Sequence, residues 1–154
     1  MNAKKWIPEK LGLIKPPAIR LGCQVGFAGI SPQGESSQKT TAKPLVMSPV
    51  FIETIQAAVE RIVAAAHPSK VILFGSYARG DADAGSDLDL MVVEREVLDK
   101  GQEMLKLYRT VGYIGIGVDL LVYSEKEMER RGQVPGTVIY QALREGKVIY
   151  DANA

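Results

Sequence analysis

Downstream of residue 48 the apolar positions fall into a few simple patterns. Ile52, Ile55, Val59, Ile62, Val63 and Ala66 recur at helical spacing and give one apolar face. Ser48 suits the N-cap of that helix and Pro49 its first position. His67-Pro68 predicts its end, because a residue before proline disfavours the α region. Val71 to Phe74 is a short, continuous apolar run, the mark of a strand buried on both faces. Gly75-Ser76 turns the chain, and Tyr77 to Arg79 fits a short helix stopped by Gly80. A polar loop, Asp81 to Ser86, leads into a second apolar strand, Leu88 to Val93. Val97 to Tyr108 reads as a helix weakened by Gly101, with Val97, Met104, Leu105 and Tyr108 near one face. Val118 to Tyr123 is a third strand, broken by a single acid, Asp119. Ser124 with Glu127 forms a capping box for a short polar helix. Pro135 to Glu145 reads as a last helix, with Val138, Ile139, Ala142 and Leu143 inward and Gly146 as its stop. Val148 to Tyr150 closes the series as a strand. Short apolar strands alternating with helices predict an α/β sheet layered with helices.

The first 46 residues follow none of these patterns. Five prolines and five glycines interrupt any helix there, and Ser31 to Lys43 is a polar run of the kind that stays disordered. Charge separates the two parts. Residues 1–47 hold seven Lys/Arg and two Asp/Glu, a net +5, and residues 48–154 hold twelve and sixteen, a net −4. Residues 1–46 are therefore expected to be a basic, disordered extension, and residues 47–151 the folded domain, with Met47 an alternative start. The length of 154 residues suits one modest core. The overall net charge of +1 gives no reason to expect direct nucleic-acid binding. One cysteine, Cys23, rules out an internal disulfide and suits a reducing cytoplasm. No apolar run reaches membrane-spanning length. His67, the only histidine, is expected to be exposed at a helix end rather than catalytic.

Candidate chemistry concentrates between Val71 and Val93. A glycine between a strand and a helix lets the backbone approach a ligand, and the free N–H groups that follow can bind phosphate. Gly75-Ser76 occupies such a place, although alone it is also an ordinary turn. Asp87 and Asp89 stand two apart at the start of a strand, so their side chains project to the same side. Two carboxylates so placed repel each other unless a cation lies between them. Hard divalent ions fit best, and Mg²⁺ is usually held by one or two carboxylates and substrate phosphates. Asp119 joins the pair if its strand neighbours Leu88 to Val93. Three convergent carboxylates can hold two metal ions about 3.5–4 Å apart. Asp81 and Asp83 read as caps in a solvated loop.

Gly75-Ser76, ten residues, then Asp87-Leu88-Asp89 resembles the signature of the nucleotidyltransferase superfamily that includes DNA polymerase β. More closely, GSYARGDADAGSDLDLMVV resembles the minimal nucleotidyltransferases, the MNT family. The resemblance spans Met47 to about Tyr150 and leaves out the first 46 residues. It implies a nucleotidyltransferase fold, a small mixed β-sheet flanked by helices. It implies that Gly75 and Ser76 bind the triphosphate and that Asp87 and Asp89 bind Mg²⁺. Asp119 would be the third carboxylate, helping to deprotonate the acceptor. Arg79 matches the family's usual arginine, with phosphate contact and bracing of the acidic loop both open as its role. The implied reaction moves AMP from ATP to a hydroxyl and releases pyrophosphate. Many such minimal proteins resemble antitoxins that adenylylate a tyrosine of a helical HEPN toxin. A small-molecule nucleotidyltransferase of the aminoglycoside-modifying kind, and an antitoxin that neutralises by binding alone, are the alternatives.

Overall fold

The computed structural model describes residues 49–154. The expected basic extension, the start at Met47 and the Ser48 cap lie outside the described residues. Helix α1 (Pro49–Ala66) precedes strand β1 (Lys70–Phe74), the single-turn helix α2 (Gly75–Arg79) and strand β2 (Leu88–Glu94). Helix α3 (Lys100–Val111), strand β3 (Val118–Ser124), helices α4 (Glu125–Arg131) and α5 (Val138–Glu145) and strand β4 (Lys147–Asp151) complete the order.

The four strands form one mixed sheet in the order β3-β2-β1-β4. β1 runs antiparallel to both β2 and β4, whereas β2 and β3 are parallel and joined through α3. The alternation of side chains along each strand divides the core in two. Leu88, Leu90 and Val92 of β2 face one way, with Val71 and Leu73 of β1, and pack against Ile55, Val59 and Ile62 of α1 and Leu107 and Val111 of α3. Met91 and Val93 face the other way, with Ile72, and pack against Met128 of α4 and Ile139 and Ala142 of α5. Val71, Ile72 and Leu73 are all buried, as a strand covered on both faces requires. Truncating a buried side chain such as Leu73 to Ala would cost about 2–5 kcal/mol.

The helix boundaries differ from expectation where capping decides them. α3 begins at Lys100 rather than Val97, because the Asp99 side chain accepts from the Gln102 N–H and fixes the first turn. Leu107 and Val111 are the buried pair of α3, Leu105 is half exposed, and Tyr108 keeps its hydroxyl against β3, where it accepts from the Leu120 N–H. α5 begins at Val138, after Thr137, whose hydroxyl accepts from the Tyr140 N–H. Leu143, expected inward, is half exposed on that helix. The capping box at Ser124 and Glu127 forms as expected, and His67 is exposed.

Candidate active site

The polar end of the sheet is assembled where β1 stops and β2 and β3 start. Antiparallel pairing of β1 with β2 sets Phe74 opposite Asp89, so Gly75 lies beside that carboxylate. Parallel pairing of β2 with β3 sets Asp89 opposite Asp119. Residues opposite one another in a sheet share a face, and Asp87, two residues before Asp89, shares it as well. This is the face that carries α4 and α5 further along the strands. Asp87 and Asp119 are exposed and Asp89 is half-buried.

Two glycines make room for the acids. Gly75 opens α2 with φ of 69°, and a Cβ there would run into the Asp89 carboxylate. A Cβ on Gly117, just before β3, would run into the Asp87 carboxylate in the same way. Asp87 thus leans over the Gly117 backbone, whose carbonyl accepts from the Leu88 N–H at 2.8 Å. The Gly117 contribution was not anticipated from sequence; its only signal is a glycine placed two residues before Asp119.

The acidic loop is tied down by its own side chains. Asp83 accepts from the Gly85 N–H at 2.9 Å and from the Ser86 hydroxyl at 3.0 Å, the capping role expected of it. Tyr77, buried in α2 and stacked on Phe51 at 4.9 Å, donates its hydroxyl to the Ser86 carbonyl at 3.4 Å. Arg79 sits at the end of α2, with Nε 3.2 Å from Asp81 and a terminal nitrogen 3.6 Å from Glu145 of α5. Of the two roles open to it, this geometry serves bracing of the loop.

Burial raises the Asp89 pKa above the ordinary carboxylate value, and the charges of Asp119 and Asp87 raise it further, while Arg79 opposes them. The three carboxylates therefore feel one another. They do not close into a shell, however: among the described residues no three acidic, His or Cys side chains are gathered tightly enough to hold a metal ion as they stand. Asp87 is directed to Gly117 and Asp89 to Gly75. The donor set still fits a hard divalent cation, with oxygen donors only and an Asp89 charge that a cation would stabilise.

A glycine turn at the end of one strand and an acid pair opening its antiparallel neighbour form a distinctive arrangement. A family model described as "Polymerase beta, Nucleotidyltransferase" matches residues 58–154, which contain every element of it. The chain belongs to this family. It is a nucleotidyltransferase with the α/β fold expected, and the family generally uses a nucleoside triphosphate and a divalent metal. Two relatives in Methanocaldococcus jannaschii both bear the name "Putative protein adenylyltransferase". One is 33% identical over 85 residues, covering 53% of this nucleotidyltransferase and 77% of the relative. The other is 48% identical over 40 residues, covering 25% and 40%. A Sulfolobus solfataricus structure described as "a putative nucleotidyltransferase" superposes with a TM-score of 0.49 at 21% identity, over 66% of this chain and 80% of that one. A toxin–antitoxin structure with AMP-PNP superposes at 0.42 and 20% identity, over 62% and 73%. Among the described residues no helix is long and apolar enough to cross a membrane.

Proposed function

We propose that this nucleotidyltransferase moves AMP from ATP to a tyrosine hydroxyl of a partner protein, a helical HEPN toxin, and so acts as the antitoxin of a toxin–antitoxin pair in the cytoplasm. The observation that carries the transfer chemistry is the pairing of Asp89 with Asp119 beside Gly75. The names of the two archaeal relatives support a protein as acceptor. The HEPN partner rests on the similarity of the Gly75 to Val93 stretch to minimal nucleotidyltransferases.

In this reading the backbone of Gly75 and the hydroxyl and N–H of Ser76 hold the triphosphate. α2 is five residues long, so local N–H groups matter there more than a helix dipole. Asp87, Asp89 and Asp119 would hold two Mg²⁺ ions, which supply charge neutralisation at the phosphates and activation of the acceptor hydroxyl. Asp119, the third carboxylate by resemblance, takes part in removing the acceptor's proton. Arg79 keeps the acidic loop in place. Little covalent chemistry is required of the protein, because in-line transfer depends on positioning and electrostatics. Residues 47–151 are the catalytic domain and residues 1–46 an appended extension.

Incubating the full chain with ATP labelled at the α-phosphate, Mg²⁺ and the HEPN-type protein encoded beside it tests this directly. Label on a tyrosine of that protein, with loss of its RNase activity, is the expected result. An unlabelled partner that is nevertheless neutralised would overturn the catalytic reading in favour of binding alone.

A further inference from the structure

We propose that Tyr113 is itself a nucleotidyl acceptor, so that the enzyme adenylylates its own groove in cis. The inference rests on the AMP-transfer reading above and names a modification site within it.

A cavity of about 240 Å³ opens beside Asp87 and is lined by Gly85, Ser86, Tyr113, Ile116 and Gly117, among others. It is smaller than the roughly 300–1,000 Å³ of a site for a drug-sized ligand, and Tyr113 stands on its wall with Asp87. Its position follows from the sheet order. The triphosphate turn at Gly75-Ser76 follows β1, the aspartates open β2 and β3, and the loop that carries Tyr113 leads into β3. Attacking and leaving oxygens must be roughly in line at the transferred phosphorus. With pyrophosphate leaving towards β1, the nucleophile comes from the β3 side, where this cavity lies.

Tyr113 is the hydroxyl best placed to use that approach. All six tyrosines fall within the described residues. Tyr77 and Tyr123 are buried, the Tyr108 hydroxyl accepts from the Leu120 N–H, the Tyr140 hydroxyl accepts from Arg144, and Tyr150 packs on the core from β4. Tyr113 is 89% exposed, and among the described residues no hydrogen bond holds its hydroxyl. The other hydroxyl lining the cavity, on Ser86, is engaged by Asp83. A nucleophile tethered at the mouth of the site gains the advantage of an intramolecular reaction. The Tyr113 Oη attacks the α-phosphorus of ATP, and the bond from that phosphorus to the β-bridging oxygen breaks. Pyrophosphate leaves with the electron pair, and the phenolic proton passes through a site carboxylate to water. A nucleotidyl group on Tyr113 would then stand where another acceptor must enter.

Intact-mass analysis and peptide mapping of the full chain, as purified and after incubation with ATP and Mg²⁺, test the proposal. The expected result is one adenylyl group on Tyr113, formed at a rate per molecule that does not change on dilution and absent from Tyr113→Phe. Adenylylation elsewhere, or persistence of the adduct in Tyr113→Phe, overturns it. A chain that binds ATP with Mg²⁺ in calorimetry but never gains mass overturns it while leaving the transfer reading intact. A chain that binds no ATP removes both.

Discussion

Strand β2 carries a half-buried carboxylate near each end, and the two have different surroundings. Asp89 near its start and Glu94 at its end both have pKa values raised first by burial and then by neighbouring acids. Glu94 faces α3, where Glu103 raises it and Lys106 lowers it, and it is pushed up to about 7. Lys106 pairs with Glu103 on the same helix, so this end brings its own cation. Asp89 meets Asp119 across the strand and a glycine at the end of β1, and Arg79, whose charge lowers its pKa, is engaged with Asp81 and Glu145. Similar charges thus have opposite uses. The acids at the Glu94 end lie against α3 and its lysine, whereas those at the Asp89 end stand where the proposed function needs a cation.

The contrast can be broken most severely at the aspartates. Replacing Asp87 and Asp89 together by Ala is expected to lower AMP transfer by roughly 10³-fold or more, by analogy with loss of a dominant electrostatic stabiliser. Thermal unfolding should be unchanged or improved, since two repelling charges are gone. Gly75→Ala comes next. The new methyl group meets the Asp89 carboxylate, and φ of 69° is strained for alanine. Transfer should fall about 10²-fold, as for a misplacement of about 1 Å, and stability by about 1–2 kcal/mol, read by denaturant titration.

At the other end of β2, Glu94→Gln should leave transfer unchanged and raise stability at pH 8. A raised carboxyl pKa means that the folded state favours the protonated form. The associated stability is therefore complete below about 4.5 and is lost as pH climbs to about 7. Allowing for solvent screening, the gain at pH 8 is about 1–2 kcal/mol, and it should vanish at pH 4. Comparing urea midpoints of the two proteins at the two pH values checks this. The smallest effect is expected at Arg79. If it braces the acidic loop, Arg79→Ala changes the KM for ATP by less than about threefold, since exposed ion pairs contribute little. A rise of tenfold or more would restore phosphate contact as its role.

Much of this was legible in the chain. The apolar runs marked all four strands to within a residue or two, because buried strands tolerate few polar positions. Asp87 and Asp89 share a side by strand alternation alone. Asp119 was harder: its place opposite Asp89 depends on β2 and β3 pairing in parallel across the α3 crossover, which no local pattern encodes. Gly117 is silent in the sequence for the same reason, since it matters only through that register. α3 starts three residues beyond Val97 because the Asp99 side chain caps it, and of the four apolar residues expected on one face Val97 and Met104 pack on the core while Leu105 is half exposed.

Whether Asp87 and Asp89 hold the metal for ATP is decided by calorimetric titration of the full chain with ATP, with and without Mg²⁺, beside a chain carrying Asp87→Asn and Asp89→Asn. Tight binding is expected only where Mg²⁺ and both aspartates are present. Equal binding without Mg²⁺, or undiminished binding in the double variant, would contradict it.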